Sequence, residues 1–254
     1  MRDVMKRNYF DRVKIIYLAQ KDGDIYYKYF TRFISAPITA ILTYTRITPN
    51  MATLAMFFFG ILGGFLFSLG EPHYYILGGI SFILLIVSDT VDGELARYNN
   101  ISSPFGDYLD RLAHYVTNTC MILGLGIGIY NNYPDILIFY LTTIVLVFYL
   151  FDDVSRDLVI SCGLADDVTS RKREKENLSV VKGSKLRKCI AYTASNTAFM
   201  HLIIIITILD ILYVDYFNSN YKLLITYLYV IYFSLATIVK VLFRIPLIVS
   251  LKNK

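Results

Sequence analysis

Six long apolar runs dominate this chain. Residues 51–69, 74–91, 115–133, 136–160, 190–209 and 223–239 are each close to the length that crosses a bilayer. About 20 residues of helix, rising 1.5 Å each, cover a hydrocarbon core roughly 30 Å thick. A backbone facing lipid must satisfy its hydrogen bonds within its own segment, so runs of this kind are helices. The expected fold is all-α: a polytopic membrane protein with six transmembrane helices in one domain, residues 49–250, after an N-terminal segment, residues 1–48. A composition 56% hydrophobic and only 18% charged, over 254 residues, argues against one or two soluble domains.

The net charge of +5 follows the membrane and is no sign of nucleic-acid binding. If the N-terminus lies inside, the outer connections are residues 70–73, 131–135 and 215–222, with one basic residue, Lys222. The inner connection over residues 165–188 holds eight, from Arg171 to Lys188. Basic residues stay on the cytoplasmic side, so both termini are expected there, in the inner membrane of a prokaryote. The first thirty residues are charged, unlike the apolar core of a secretory leader. Cys120, Cys162 and Cys189 have no metal-type spacing and read as structural.

Residues 1–32 are polar and basic, with Arg2, Lys6, Arg7, Arg12, Lys14, Lys21, Lys28 and Arg32. Residues 33–45 are apolar between Arg32 and Arg46, but thirteen residues make about 20 Å of helix, too short to span. They are expected to form an amphipathic helix lying in the interface; a disordered tail with a re-entrant stub is the alternative. Thr48-Pro49-Asn50 opens the first span, with Asn50 either capping that helix or, like Thr53, facing a site. Glycines 60, 63, 64, 78, 79, 124, 126 and 128 suit close packing of membrane helices. His201 reads as a core residue and His73 as outer-loop surface.

The chemistry is concentrated between the second and third spans. The sequence runs D-T-V-D-G-E-L-A-R from Asp89 to Arg97, and after eight residues G-D-Y-L-D-R-L-A-H from Gly106 to His114. On a helix, Asp89, Asp92, Gly93 and Ala96 share one face, as do Asp107, Asp110, Arg111 and His114 on the next. A turn containing Pro104 and Gly106 would let the two faces close on one point. Clustered carboxylates suit hard divalent cations such as Mg2+ or Mn2+. Asp residues inside a span are costly, some 2.5–3.5 kcal/mol each at mid-membrane on insertion scales, and bound cations would relieve both that cost and their mutual repulsion. Further along, Asp152 and Arg156 stand at i, i+4. They read equally well as a surface pair or as the wall of a polar pocket.

The pattern Asp89-x-x-Asp92-Gly93-x-x-Ala96-Arg97, eight residues, Gly106-x-x-x-Asp110 resembles the signature of the CDP-alcohol phosphotransferases. The resemblance extends to the six-span layout, the interfacial N-terminal helix and the Pro-Asn pair. It implies that an acceptor hydroxyl attacks the β-phosphate of a CDP-alcohol, with CDP-diacylglycerol the favoured donor, and that CMP leaves. It further implies two divalent ions, Mg2+ or Mn2+, held by Asp89, Asp92 and Asp110. Gly93 and Ala96 would floor the nucleotide site, and Arg97 would face the diphosphate. A homodimer is common in such families. The active site would face the cytoplasm, and Arg156 with the inner-loop cations leans towards a phosphorylated acceptor.

This chain departs from the family at the last position, where His114 replaces a fourth Asp. An imidazole, with a pKa of about 6.5, could serve as general base or offer a nitrogen to a metal. Asp107 could instead replace the lost carboxylate, or the protein could bind without catalysing. An ion-coupled carrier is a further reading of intramembrane acids. The apolar, Gly-rich residues 120–130 offer it no polar path across the membrane.

Overall fold

The computed structural model describes residues 8–19, 31–101 and 103–161, together with Leu235 and Ile238. The expected fifth and sixth spans, the basic loop of residues 165–188, Cys162, Cys189 and His201 lie outside the described residues, as does the side chain of Arg156.

The described residues form six helices and no strand: α1 (Tyr9–Ala19), α2 (Arg32–Leu42), α3 (Pro49–Ser68), α4 (Pro72–Asn99), α5 (Pro104–Asn132) and α6 (Ile136–Ser161). Helices α3 to α6 are long and apolar enough to cross a membrane. The chain is an integral membrane protein, and the first four expected spans are present among the described residues. On α3, Leu54, Phe58, Ile61 and Phe65 recur at helical spacing and all stay at least half exposed. An outward face as apolar as the inward one would be a liability in water and is what lipid solvates.

Pro49 stands at the first position of α3, where its missing N–H costs nothing. The Thr48 carbonyl accepts the first backbone bonds, from Met51 and Ala52. Asn50 is therefore inside the first turn and is not the cap. Helix α4 runs straight through the acidic motif, because no Pro or unsupported Gly interrupts it before Asn99. It ends in a Schellman arrangement: Asn100 adopts a left-handed φ of 53°, Ile101 N–H donates to Ala96 O (2.9 Å), and Asn100 N–H donates to Arg97 O (3.3 Å). Helix α5 starts at once. Ser103 caps it, its Oγ accepting from Gly106 N–H at 3.0 Å, and Pro104 takes the first position. Gly106, expected in the turn, belongs to the first turn of α5.

Helix α1 was not legible as a sequence element. It packs on α2 through Ile16, Ala36 and Ala40, with Tyr9, Val13 and Tyr98 around them. Tyr9, Val13 and Ile16 stand at i, i+4 and i+7, a helical stripe masked by the basic residues between. Arg12 is buried and anchors the pair: its Nη1 donates to Thr43 Oγ1 (2.7 Å), and its guanidinium lies 3.8 Å from the Tyr44 ring centre.

The chain divides into two compact units, Met1–Leu66 with Leu77–Met121, and Phe67–Ile76 with Ile122–Lys254. In the first, small residues let α3 and α5 approach. A methyl on Gly64 would lie 2.5 Å from the Cys120 carbonyl oxygen, a backbone atom that cannot swing away. Ala52, Val87, Val91 and Leu95 form a core joining α3 and α4, and Ile34 and Leu42 of α2 pack on it. In the second unit, Gly70 takes a positive φ of 79° at the α3–α4 turn, and Asn132 Nδ2 donates to its carbonyl oxygen (2.6 Å).

Candidate metal centre

The first unit carries the signature residues on α4 and α5, with Asn50 and Thr53 on α3. Asp110 and His114, one turn apart on α5, face Asp89 on α4. His114 Nε2 lies 3.1 Å from Asp89 Oδ1 and 3.6 Å from Asp110 Oδ1. One donor atom from each of Asp89, Asp110 and His114 falls within 4.8 Å of the others, and all three residues are half-buried. Two carboxylates and an imidazole this close are an oxygen-and-nitrogen donor set that fits a divalent ion.

Asp92, one turn beyond Asp89 on α4, is buried. Its Oδ2 accepts a hydrogen bond from Thr53 Oγ1 at 2.8 Å. Thr53, itself buried, thus orients one carboxylate of the motif from the neighbouring helix. Asn50, one turn earlier, directs its Oδ1 towards Gly106, within 3.4 Å of where a side chain there would begin. A hydroxyl three residues inside a span, on the turn that follows Pro-Asn, was the available sequence signal for Thr53.

The guanidinium of Arg97 folds back over Gly93, so a methyl at Gly93 would sit 3.1 Å from Nη1. Gly93 and Ala96 are half-buried, and Arg97 is exposed. Asp107 is exposed in the first turn of α5 and stands outside the Asp89–Asp110–His114 group. Asp152 and Asp153 belong to α6 in the second unit.

Glu94, inside the signature but not part of its pattern, is a further buried acid. It is 2% exposed, and two hydroxyls from successive turns of α2 hold it. Ser35 Oγ donates to Oε1 at 2.7 Å, and Thr39 Oγ1 donates to Oε2 at 2.5 Å. This carboxylate ties α2 to α4 one residue from Gly93. Its signal was a pair of hydroxyls at i, i+4 on a short apolar helix, which needs a buried partner.

A chain from Thermococcus kodakarensis, the bifunctional IPC transferase and DIPP synthase, is 32% identical over 97 residues. Those residues are 38% of this chain and 21% of that relative, so the match spans about a fifth of the relative's length. The profile of the CDP-alcohol phosphatidyltransferases matches residues 46–235, from just before α3 to beyond α6. That stretch is most of the chain and contains every signature residue described above, so this protein belongs to the CDP-alcohol phosphatidyltransferase family.

Proposed function

We propose that this protein moves a phosphatidyl or other phospho-alcohol group from a CDP-alcohol to an acceptor hydroxyl, releasing CMP, in the synthesis of phospholipid or a related phosphodiester. The observation that carries the reading is the convergence of Asp89, Asp110 and His114 from two adjoining helices, with Asp92 tied to Thr53 beside them. Asp89, Asp92, Asp110 and His114 would hold a pair of divalent ions, Mg2+ or Mn2+. Bound there, such ions neutralise the diphosphate and the departing nucleotide.

The residues of the chain do the positioning. Arg97 has its guanidinium at the Gly93 surface and can turn it onto the diphosphate without moving backbone. Gly93 and Ala96 leave room for the nucleotide against α4. The acceptor oxygen bonds to the β-phosphorus, the bond from that phosphorus to the CMP oxygen breaks, and CMP takes the electron pair. The acceptor proton is lost as its oxygen bonds. His114 receives it through whichever ring nitrogen keeps its lone pair, and Asp107, on the same face of α5, is the alternative base. A membrane-embedded site favours CDP-diacylglycerol as donor, and the eight basic residues of 171–188 favour a cytoplasmic site and a phosphorylated acceptor.

A non-catalytic role in binding CDP and metal is the second reading, favoured by the single replacement at His114. The test is CMP release by the purified protein with Mg2+ or Mn2+, CDP-diacylglycerol or small CDP-alcohols, and hydroxylated acceptors with and without phosphate. CMP release that depends on both metal and acceptor is expected. CDP binding with no CMP from any pair would establish the second reading.

A further inference from the structure

We infer that His114 Nε2 is a direct metal ligand and that it tunes the Asp89–Asp110–His114 site to a first-row transition ion over Mg2+. The inference rests on the reading that this cluster holds metal, and it goes further by naming the donor atom and the class of ion.

The spacing fits ligands on a shared ion. Two donors at right angles, each about 2.1 Å from an octahedral ion, stand about 3.0 Å apart. Around a tetrahedral ion at that distance they stand about 3.4 Å apart. His114 Nε2 is 3.1 Å from Asp89 Oδ1 and 3.6 Å from Asp110 Oδ1, so it meets both carboxylates near the separation of adjacent ligands. Asp110 and His114 are one turn apart on α5, so the helix brings both side chains to the same face, opposite Asp89.

The consequence follows from donor chemistry. Mg2+ takes oxygen and keeps its water, whereas imidazole suits Mn2+, Fe2+, Zn2+ and their neighbours. A fourth carboxylate would add negative charge that any hard ion rewards. A neutral nitrogen adds none, so the harder ion loses more by the exchange. An Nε2 committed to metal is also unable to accept the acceptor proton, so that proton passes instead to a carboxylate, Asp107 being the candidate on the same face of α5.

The test uses the full-length, tag-free protein in detergent with Mn2+ as probe, read by electron spin-echo modulation. The chain has three histidines, so labelling histidine with 15N reports on few sites. Bound Mn2+ should show directly coordinated nitrogen that changes with the 15N label and disappears in His114→Asp. Competition by Mg2+ should then need at least tenfold less Mg2+ in His114→Asp than in the native protein. Bound Mn2+ without nitrogen coupling in the native protein would overturn the inference, leaving Nε2–H as a hydrogen-bond donor to Asp89. So would an unchanged Mn2+ to Mg2+ ratio in a His114→Asp variant that still binds Mn2+. The native-protein spectrum decides the ligand even if that variant does not fold. Neither readout needs turnover. Nitrogen coupling without CMP release would overturn the proposed activity alone, and CMP release without nitrogen coupling would overturn this inference alone.

Discussion

Two sides of helix α4 treat their acids in opposite ways. On the side towards α2, Glu94 is sealed from solvent and receives hydroxyl hydrogen bonds from Ser35 and Thr39. On the side towards α5, Asp89 is half-buried and faces another carboxylate and an imidazole. Glu94 lies about 200° around the helix from Asp92 and serves a different task. A carboxylate with local donors holds helices together. Carboxylates crowded against each other repel, and a cation bound between them would relieve that repulsion. The contrast separates an acid satisfied by hydroxyl donors from acids set against other titratable groups, within six residues of sequence.

The contrast can be broken most forcefully at Asp89. Asp89→Asn should lower CMP release about a thousandfold or more, since it removes charge where the diphosphate and its metal must be neutralised. Its thermal midpoint without metal should hold or rise, because repulsion with Asp110 is relieved. A collapse in stability would make Asp89 a structural acid like Glu94.

Thr53→Val tests the link between Asp92 and its neighbour. Loss of a partner that orients a metal-binding carboxylate typically costs about 10- to 100-fold in metal affinity or activity. Mn2+ affinity, read by the loss of the free-ion signal, should fall within that range while the helix content stays the same. Thr53→Ser should restore most of it.

Glu94→Ala should show the reverse balance. Removing the acceptor leaves Ser35 and Thr39 buried without it, at a cost of about 2 kcal/mol. The measurable result is a lower unfolding midpoint, with CMP release per folded molecule changed far less than in Asp89→Asn. A thousandfold loss of turnover with intact stability would move Glu94 into the active site.

The smallest effect is expected at Gly93. In Gly93→Ala the new methyl meets only the mobile tip of Arg97, 3.1 Å away, so the side chain shifts by tenths of an ångström. Helix propensity favours alanine by up to about 1 kcal/mol, so the midpoint should rise slightly. CMP release should fall about threefold as Arg97 is displaced from the diphosphate path. An undiminished rate would remove Gly93 from the nucleotide surface.

Much of this was legible in the residues. Sustained apolar length located α3 to α6, and the extension of α6 past Asp152 and Asp153 was readable from the apolar residues that follow them. The pairing of Asp110 with His114 needed only the helical repeat. Less legible were α1 and the helix ends. Arg12 reads as a surface cation in sequence, yet it is buried because Thr43 and Tyr44 supply partners 31 and 32 residues away. Gly106 reads as a turn residue, yet Ser103 and Pro104 start the helix before it.

Among the described residues, the amino-acid order alone determined which helices are long and apolar enough to cross a membrane and the helical face each acid occupies, and it carried the family, because hydrophobic length and the 3.6-residue repeat are local properties. Only the tertiary structure decided that Asp89 meets His114, that Thr53 restrains Asp92 and that Glu94 serves α2. Those outcomes depend on how closely helices can approach. That approach is set by small residues such as Gly64 and by hydrogen-bond partners far away in the chain, and no local pattern specifies either.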